Sequence, residues 1–66
     1  MDIKKAQTIL NEKVKYKDRE YLLTACILRK DEREKKRYFQ AELHELNANG
    51  VVIVRLNDVE EVTENG

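Results

Sequence analysis

The chain has 66 residues, with 13 basic and 13 acidic side chains, one cysteine (Cys26) and one histidine (His44). These counts exclude an internal disulfide, and one chain alone cannot supply a four-ligand zinc site from cysteine and histidine. A chain this short also buries little apolar surface. We therefore expect a single small domain, residues 1–66, that gains stability by self-association.

No segment of the sequence predicts export or membrane insertion. The N-terminal stretch MDIKKAQTIL lacks the apolar core of a signal peptide, and no apolar run approaches the ~20 residues of a membrane span. With an unpaired thiol as well, a cytoplasmic protein is expected.

The charge is balanced overall but unevenly distributed. Residues 1–37 hold 12 basic and 7 acidic side chains, a net +5, whereas residues 38–66 hold 1 and 6, a net −5. If the two halves pack together, they neutralise each other. The same asymmetry also permits attraction between copies.

Residues 2–11 read as a short helix with Asp2 as its N-cap. Ile3, Ala6, Ile9 and Leu10 recur on one side at helical spacing. A helix of this length is not stable alone, so it must dock on the rest of the chain.

After the helix, the spacing of apolar residues changes to the two-residue period that is typical of strands. Val14 and Tyr16 alternate with lysines, and the sequence KDRE is suited to a turn. Residues 21–28 are apolar at both parities, which predicts a strand that is covered on both faces or curls through a barrel. Alternation would place Tyr21 and Ala25 on one side and Leu22 and Cys26 on the other.

Residues 31–47 permit two interpretations. Local propensity favours a helix, because the stretch has no β-branched residue and is rich in Glu, Lys, Arg and Leu. However, residues 31–37 have nothing apolar to bury, and a helix here would leave a sheet of only two or three strands. We therefore predict a hairpin with a charged tip, whose second strand buries Phe39, Ala41 and Leu43; the helix is the alternative.

The last strand is predicted over residues 51–54, four consecutive β-branched residues. Asn49 and Gly50 supply the preceding turn because both tolerate positive φ. The sequence NDVEEV is expected to form a single helical or 3₁₀ turn, capped by Asn57 or Asp58 and burying Val59.

The predicted fold is α+β but mainly β: a short N-terminal helix and a bent antiparallel meander of four or five strands. The alternative is an α-β-α-β order. If the sheet curls incompletely, a strip including some of Val52, Val54, Leu56 and Leu22 stays bare, and we expect a two-fold homodimer to cover it. The order of elements, ending in VIVRLNDVEEV, resembles small SH3-like or Sm-like barrels in its general pattern. The Lys-, Glu- and Asn-rich composition resembles that of small accessory proteins of bacteriophages and mobile elements.

Residue types argue against an enzyme, a cofactor or a metal site. Cys26 is surrounded by apolar neighbours and is expected to be an inert buried thiol, and the chain has no serine. The only internal glycine is Gly50, so a glycine-rich phosphate loop is excluded. His44 could share a metal or a proton with Glu42 two residues away, but a surface histidine is the simpler interpretation.

One feature of the sequence suggests binding. Six cations cluster with an aromatic residue at the predicted tip, and we select them as partner-contact candidates: Arg29, Lys30, Arg33, Lys35, Lys36, Arg37 and Tyr38. The interleaved acids Asp31, Glu32 and Glu34 reduce the attraction for phosphate. We expect a non-enzymatic module that binds a protein or itself, and the composition suggests an accessory or regulatory protein of a phage-like element. A nucleic-acid-binding barrel using residues 29–38 is the alternative.

Overall fold

A computed structural model describes residues 1–62 of the chain. Its elements are helix α1 (Ile3–Thr8), strands β1 (Lys13–Tyr16), β2 (Arg19–Asp31), β3 (Lys36–Glu45) and β4 (Val51–Arg55), a 3₁₀ turn (Leu56–Asp58) and strand β5 (Glu60–Glu61). The strands form one antiparallel sheet in the order β4-β3-β2-β1-β5. The prediction of a mainly β chain with a short N-terminal helix is confirmed.

The sheet is open, so the predicted small barrel is not confirmed. β4 and β5 lie at opposite edges and do not pair with each other. β5 has two residues and β1 has four, and strands this short extend the sheet by little. After β4 the 3₁₀ turn carries the chain to the far edge, where β5 pairs with β1.

The hairpin prediction for residues 31–47 is correct, and the helix alternative is wrong. β3 pairs with β2 along its whole length, from Asp31 opposite Lys36 to Tyr21 opposite Glu45. The tip turn is fixed by Asp31, whose Oδ1 accepts hydrogen bonds from the backbone N–H of Arg33 at 2.9 Å and of Glu34 at 3.3 Å. Burial of one face of β3 outweighs helix propensity, because Ala41 and Leu43 become fully buried.

The shorter hairpin confirms the predicted KDRE turn. Tyr16 pairs with Arg19, and the two residues between them, Lys17 and Asp18, have φ values of 47° and 63°. Two consecutive positive φ values are typical of the tight two-residue turn that matches strand twist.

A bulge in β2 makes part of the predicted alternation wrong. Leu23 faces Leu43, but the next pair is Ala25 opposite Glu42, so Thr24 is an extra residue. Beyond it the parity changes, and Cys26 rather than Ala25 joins the core side of the sheet.

The core lies on one face of the sheet, between β1–β3, α1 and the 3₁₀ turn. Its buried members are Ala6, Val14, Tyr21, Leu23, Ala41, Leu43, Leu56 and Val59. Ile3, Ile9 and Phe39 are partly buried against them. A six-residue helix covers one face only, so the opposite face of the sheet has no second layer within residues 1–62.

Of three local predictions about turns and caps, one is correct in position and two are wrong. Asp2 is the N-cap residue of α1, although its side chain makes no capping bond. Neither Asn57 nor Asp58 caps the 3₁₀ turn, whose N-cap is Arg55. Asn49 and Gly50 do not use positive φ. The connection from β3 to β4 instead spans residues 46–50. It is long enough to reverse the direction of the chain without a residue of positive φ.

Candidate binding surfaces

The cationic candidates lie on an arm of the β2–β3 hairpin that projects beyond the core. We define the hairpin arm as residues 29–38. The six basic residues in it are all exposed, and Tyr38 is half-buried. The arm contributes to an elongated molecule of 43 × 25 × 18 Å. Within residues 1–62 no ion pair involves any of these cations.

The register distributes these cations around the arm instead of gathering them on one side. Lys30 stands directly opposite Arg37, and both point to the core side of the sheet plane; Arg29 and Lys36 point to the other side. Like charges directly opposite each other are destabilising. Because the charge is split between two faces, neither face offers a dense basic patch.

The two aromatic residues of the predicted tip also separate. Phe39 is partly buried against the core, and Tyr38 points to the opposite face, where the guanidinium carbon of Arg55 lies 3.9 Å from its ring centroid. A stacking platform for bases needs aromatic faces open to solvent on one side of a sheet. One face of Tyr38 is already occupied and Phe39 faces inward, so the hairpin arm does not supply such a platform.

The uncovered side of the sheet carries the second candidate surface, which we call the outer face. Three cross-strand rows form it: Leu22–His44–Val51, Ala25–Glu42–Ile53 and Ile27–Gln40–Arg55. No residue in these rows is fully buried. Within these rows the surface is apolar on β2 and, except for Arg55, on β4, and it is polar along β3.

The outer face ends at β4, the edge strand. Val51 and Ile53 are 47% and 45% exposed, among the most exposed large apolar side chains of the described chain. Our expectation that a bare strip would be drawn from Val52, Val54, Leu56 and Leu22 is largely wrong. Leu56 is buried, and Val52 and Val54 pack against the core; only Leu22 lies on the outer face.

The backbone of β4 has one side free. The N–H of Glu45 donates to the carbonyl of Gly50 at 2.9 Å, which makes that pair a hydrogen-bonded one. Since such pairs alternate in an antiparallel ladder, Val52 and Val54 direct their backbone groups to β3. The N–H and C=O groups of Val51 and Ile53 and the N–H of Arg55 face away from the sheet, whereas the Arg55 carbonyl, as the N-cap of the 3₁₀ turn, accepts the first hydrogen bond of that turn.

A small polar cluster occupies the middle of the outer face. The Thr24 hydroxyl lies 2.8 Å from Glu42 Oε1 and 3.1 Å from the Glu42 carbonyl, and His44 Nε2 lies 3.3 Å from the same Oε1. The hydrogen bond from Thr24, then the one from His44, lowers the pKa of Glu42 from its ordinary value of 4.5. The predicted proximity of Glu42 and His44 is correct.

This cluster lacks the connectivity of a catalytic triad. In a triad the hydroxyl contacts the histidine, which a carboxylate orients. Here the carboxylate stands between the other two groups, so the Thr24 hydroxyl is bonded to Glu42 and not to His44. Cys26 is half-buried on the other face, and burial raises the pKa of its thiol above 9.0, which disfavours the reactive thiolate. Among residues 1–62 no three metal-ligating side chains converge.

Sequence reasoning missed Thr24 and the edge residues Val51 and Ile53. The parity of β4 decides which of its valines are exposed, and that parity depends on pairing with β3. One signal was present in the sequence. In a run of four consecutive β-branched residues, alternate side chains must lie on opposite faces of the sheet, so some of them lie on the face away from the core.

Comparisons with protein-family models, curated proteins and solved structures each find no match to this chain. In the described part of the chain, no helix has the length and apolar character that crossing a membrane requires. Function must therefore be inferred from the surfaces of the chain itself.

Proposed function

We propose that this chain is a non-enzymatic binding module that joins another protein chain through the β4 edge and the adjoining outer face. One observation carries the proposal: β4 is an edge strand with free backbone groups at Val51, Ile53 and Arg55, next to exposed apolar side chains. An added strand would satisfy those groups, and the outer face would provide pockets for alternate side chains.

The energetics of a thin domain support the same proposal. The core has one layer of buried side chains beneath one face of the sheet. Burial and ordering entropy nearly cancel in domains of this size. A partner that adds a strand would stabilise the fold by mass action as well as bind it. An accessory or regulatory role in a phage-like element stays a prediction from composition.

Affinity capture from a lysate of the source organism tests the edge. The three matched baits are the wild-type chain and two variants. Ile53→Pro removes an outward-facing N–H without breaking a bond to β3, because edge strands tolerate proline where the N–H faces solvent. The double variant Arg33→Glu with Lys36→Glu changes the hairpin arm and leaves the edge intact.

We expect at least one protein to be retained by the wild-type chain and by the arm variant but lost with Ile53→Pro. Far-UV circular dichroism establishes that all three baits are folded. If every retained protein survives Ile53→Pro, the edge is not the binding surface. Loss with the arm variant alone would assign binding to the hairpin arm.

A further inference from the structure

We propose that the occupant of the β4 edge is a second copy of this chain, paired antiparallel about a two-fold axis at Ile53. The proposal rests on the proposed function, since it names the partner at the same edge. It would join two five-stranded sheets into one continuous sheet.

The free backbone groups of β4 are self-complementary in this register. With the axis at Ile53, that residue faces Ile53 of the second copy, and Val51 faces Arg55. These are the three residues whose N–H groups point away from β3; the carbonyls of Val51 and Ile53 do so as well, and that of Arg55 belongs to the 3₁₀ turn. All five residues of β4 then find a partner, and about four backbone hydrogen bonds form between the copies. A shift of the axis to Val52 or Val54 leaves part of each strand unpaired.

The side chains agree with that register. Val52 would face Val54 of the second copy in the closely spaced, non-hydrogen-bonded positions, where pairs of β-branched residues pack well. On the outer face the two Ile53 side chains would cover each other. Arg55 and its symmetry mate would lie about 13 Å apart, four residues along the strand, so they would not repel strongly.

The edge has none of the features that usually prevent strand pairing. Natural edges are protected by lysine, proline, bulges or extreme shortness. β4 spans five residues with no proline or lysine, and its one charge, Arg55, lies at its end. The opposite edge differs: β5 consists of Glu60 and Glu61 alone, and β2 beyond Leu23 pairs only with β3 but carries the Thr24 bulge and the cations Arg29 and Lys30 there.

The difference between the two edges of the sheet favours a closed dimer over a filament of many subunits. Pairing of β4 with β5 of a neighbour, or with β2 of a neighbour beyond Leu23, would repeat without closing and produce a filament. β5 offers only two residues, both acidic, and this part of β2 begins with the Thr24 bulge and ends with Arg29 and Lys30, features that protect an edge. The two-fold β4–β4 contact pairs the apolar β4 edge with itself.

The contact is small. Two five-residue strands with their flanking side chains fall at the low end of interface sizes, below about 1,200 Å² in total. Such interfaces are weak. We expect monomers in dilute solution and dimers only at high protein concentration.

Sedimentation equilibrium from about 5 µM to 1 mM tests the proposal, since a weak contact of this class forms only towards the upper end. We expect the wild-type mass to rise from near 7.8 kDa towards twice that value, and Ile53→Pro to stay monomeric throughout. If Ile53→Pro does not fold, Ile53→Lys replaces it, because it places two lysines opposite each other at the axis.

Disulfide trapping checks the register. In a Cys26→Ala background, Val52→Cys and Val54→Cys proteins are oxidised separately and as a mixture. The proposed register predicts that the mixed disulfide exceeds the statistical half of the product. Equal or lower yield of the mixed product would overturn the register.

Two results would overturn self-pairing at this edge. One is a wild-type chain that remains a single species near 7.8 kDa at the highest concentration. The other is a dimer that survives both Ile53→Pro and Ile53→Lys. In either case the capture experiment still decides independently whether the edge binds a different protein.

Discussion

The guanidinium of Arg55 lies over the ring of Tyr38, 3.9 Å from its centroid, and thereby links the end of β4 to the base of the hairpin arm. Next to it, Arg29 Nε donates to Gln40 Oε1 at 2.9 Å. Both arginines are therefore engaged by neighbours on the outer face. The hairpin arm has charge, but its Tyr38 ring is covered on one side by Arg55 and its Arg29 guanidinium is held by Gln40.

Nucleic-acid binding is expected to be weak for this reason. Three acidic residues are interleaved with the arm's six cations, and the cations are divided between two faces of the sheet. The arm can therefore neutralise few phosphates at once. Fluorescence anisotropy with duplex DNA and single-stranded RNA at about 150 mM salt should show no submicromolar binding. Tight binding that disappears in the Arg33→Glu and Lys36→Glu double variant would instead establish the arm as a nucleic-acid site.

The strand assignment of residues 36–45 is tested by placing the same charge at two adjacent positions. Ala41 is fully buried, so Ala41→Glu should cost several kcal/mol, roughly 3 or more, and unfold a domain this small. Gln40→Glu should change stability by less than about 0.5 kcal/mol, because Gln40 lies on the outer face. Glutamate is the better probe there, since a lysine would add a third cation beside Arg29 and Arg55.

Thermal melting of the two variants provides the measurement. Equal losses of melting temperature would contradict the alternation of β3. The helix alternative would also predict a smaller difference, because adjacent residues of a helix lie about 100° apart rather than on opposite faces.

The like-charged pair in the arm predicts a stabilising substitution. Lys30 and Arg37 are directly opposite, so Lys30→Glu should raise stability by about 0.2–1 kcal/mol through a favourable cross-strand pair. Lys30→Gln is the matched control and should give part of the gain, because it removes repulsion without adding attraction. Chemical denaturation at low and high salt measures both; a gain from Lys30→Glu that salt does not reduce would not be electrostatic.

Glu42 predicts a pH dependence on the acidic side. Its pKa in the folded chain is lowered, first by the Thr24 hydrogen bond, so the carboxylate form stabilises the fold above the unfolded-state pKa. That contribution is lost as pH falls through the lowered pKa. The advantage of wild type over Glu42→Gln in melting temperature should therefore be full above pH 4.5 and decline below it.

Thr24→Val provides the control for Glu42. It removes the largest cause of the lowered pKa and keeps the volume and β-branching of the side chain. We expect it to reproduce much of the loss seen with Glu42→Gln at neutral pH. A constant difference from wild type across the acidic range would show that Glu42 does not titrate in the way its hydrogen bonds imply.

Much of the sheet could be predicted because its signals are local. The alternation of Phe39, Ala41 and Leu43 identifies a strand with one buried face, and the absence of apolar residues at 31–37 marks a projecting tip. Closure of the sheet could not be predicted in this way. It depends on how far β5 extends and on where the chain crosses after β4, neither of which follows from periodicity.

The candidate site was harder to predict for the same reason. The cations of the arm are conspicuous in sequence, but their division between two faces follows from the Lys30–Arg37 register. The Thr24 bulge reverses the parity of β2 without any glycine or proline to mark it. The exposed edge at Val51 and Ile53 follows only when the neighbour of β4 is known.

Backbone amide exchange along β4, measured by NMR at two protein concentrations, tests whether β4 is an open edge that pairs with a second copy. The open edge predicts slow exchange at Val52 and Val54 and fast exchange at Ile53 in dilute solution, because only the first two amides donate to β3. Ile53 should gain protection as concentration rises and a second β4 pairs with it. If Ile53 is protected as strongly as Val52 at the lowest concentration, the β4 edge is already occupied within the monomer and cannot bind a second chain.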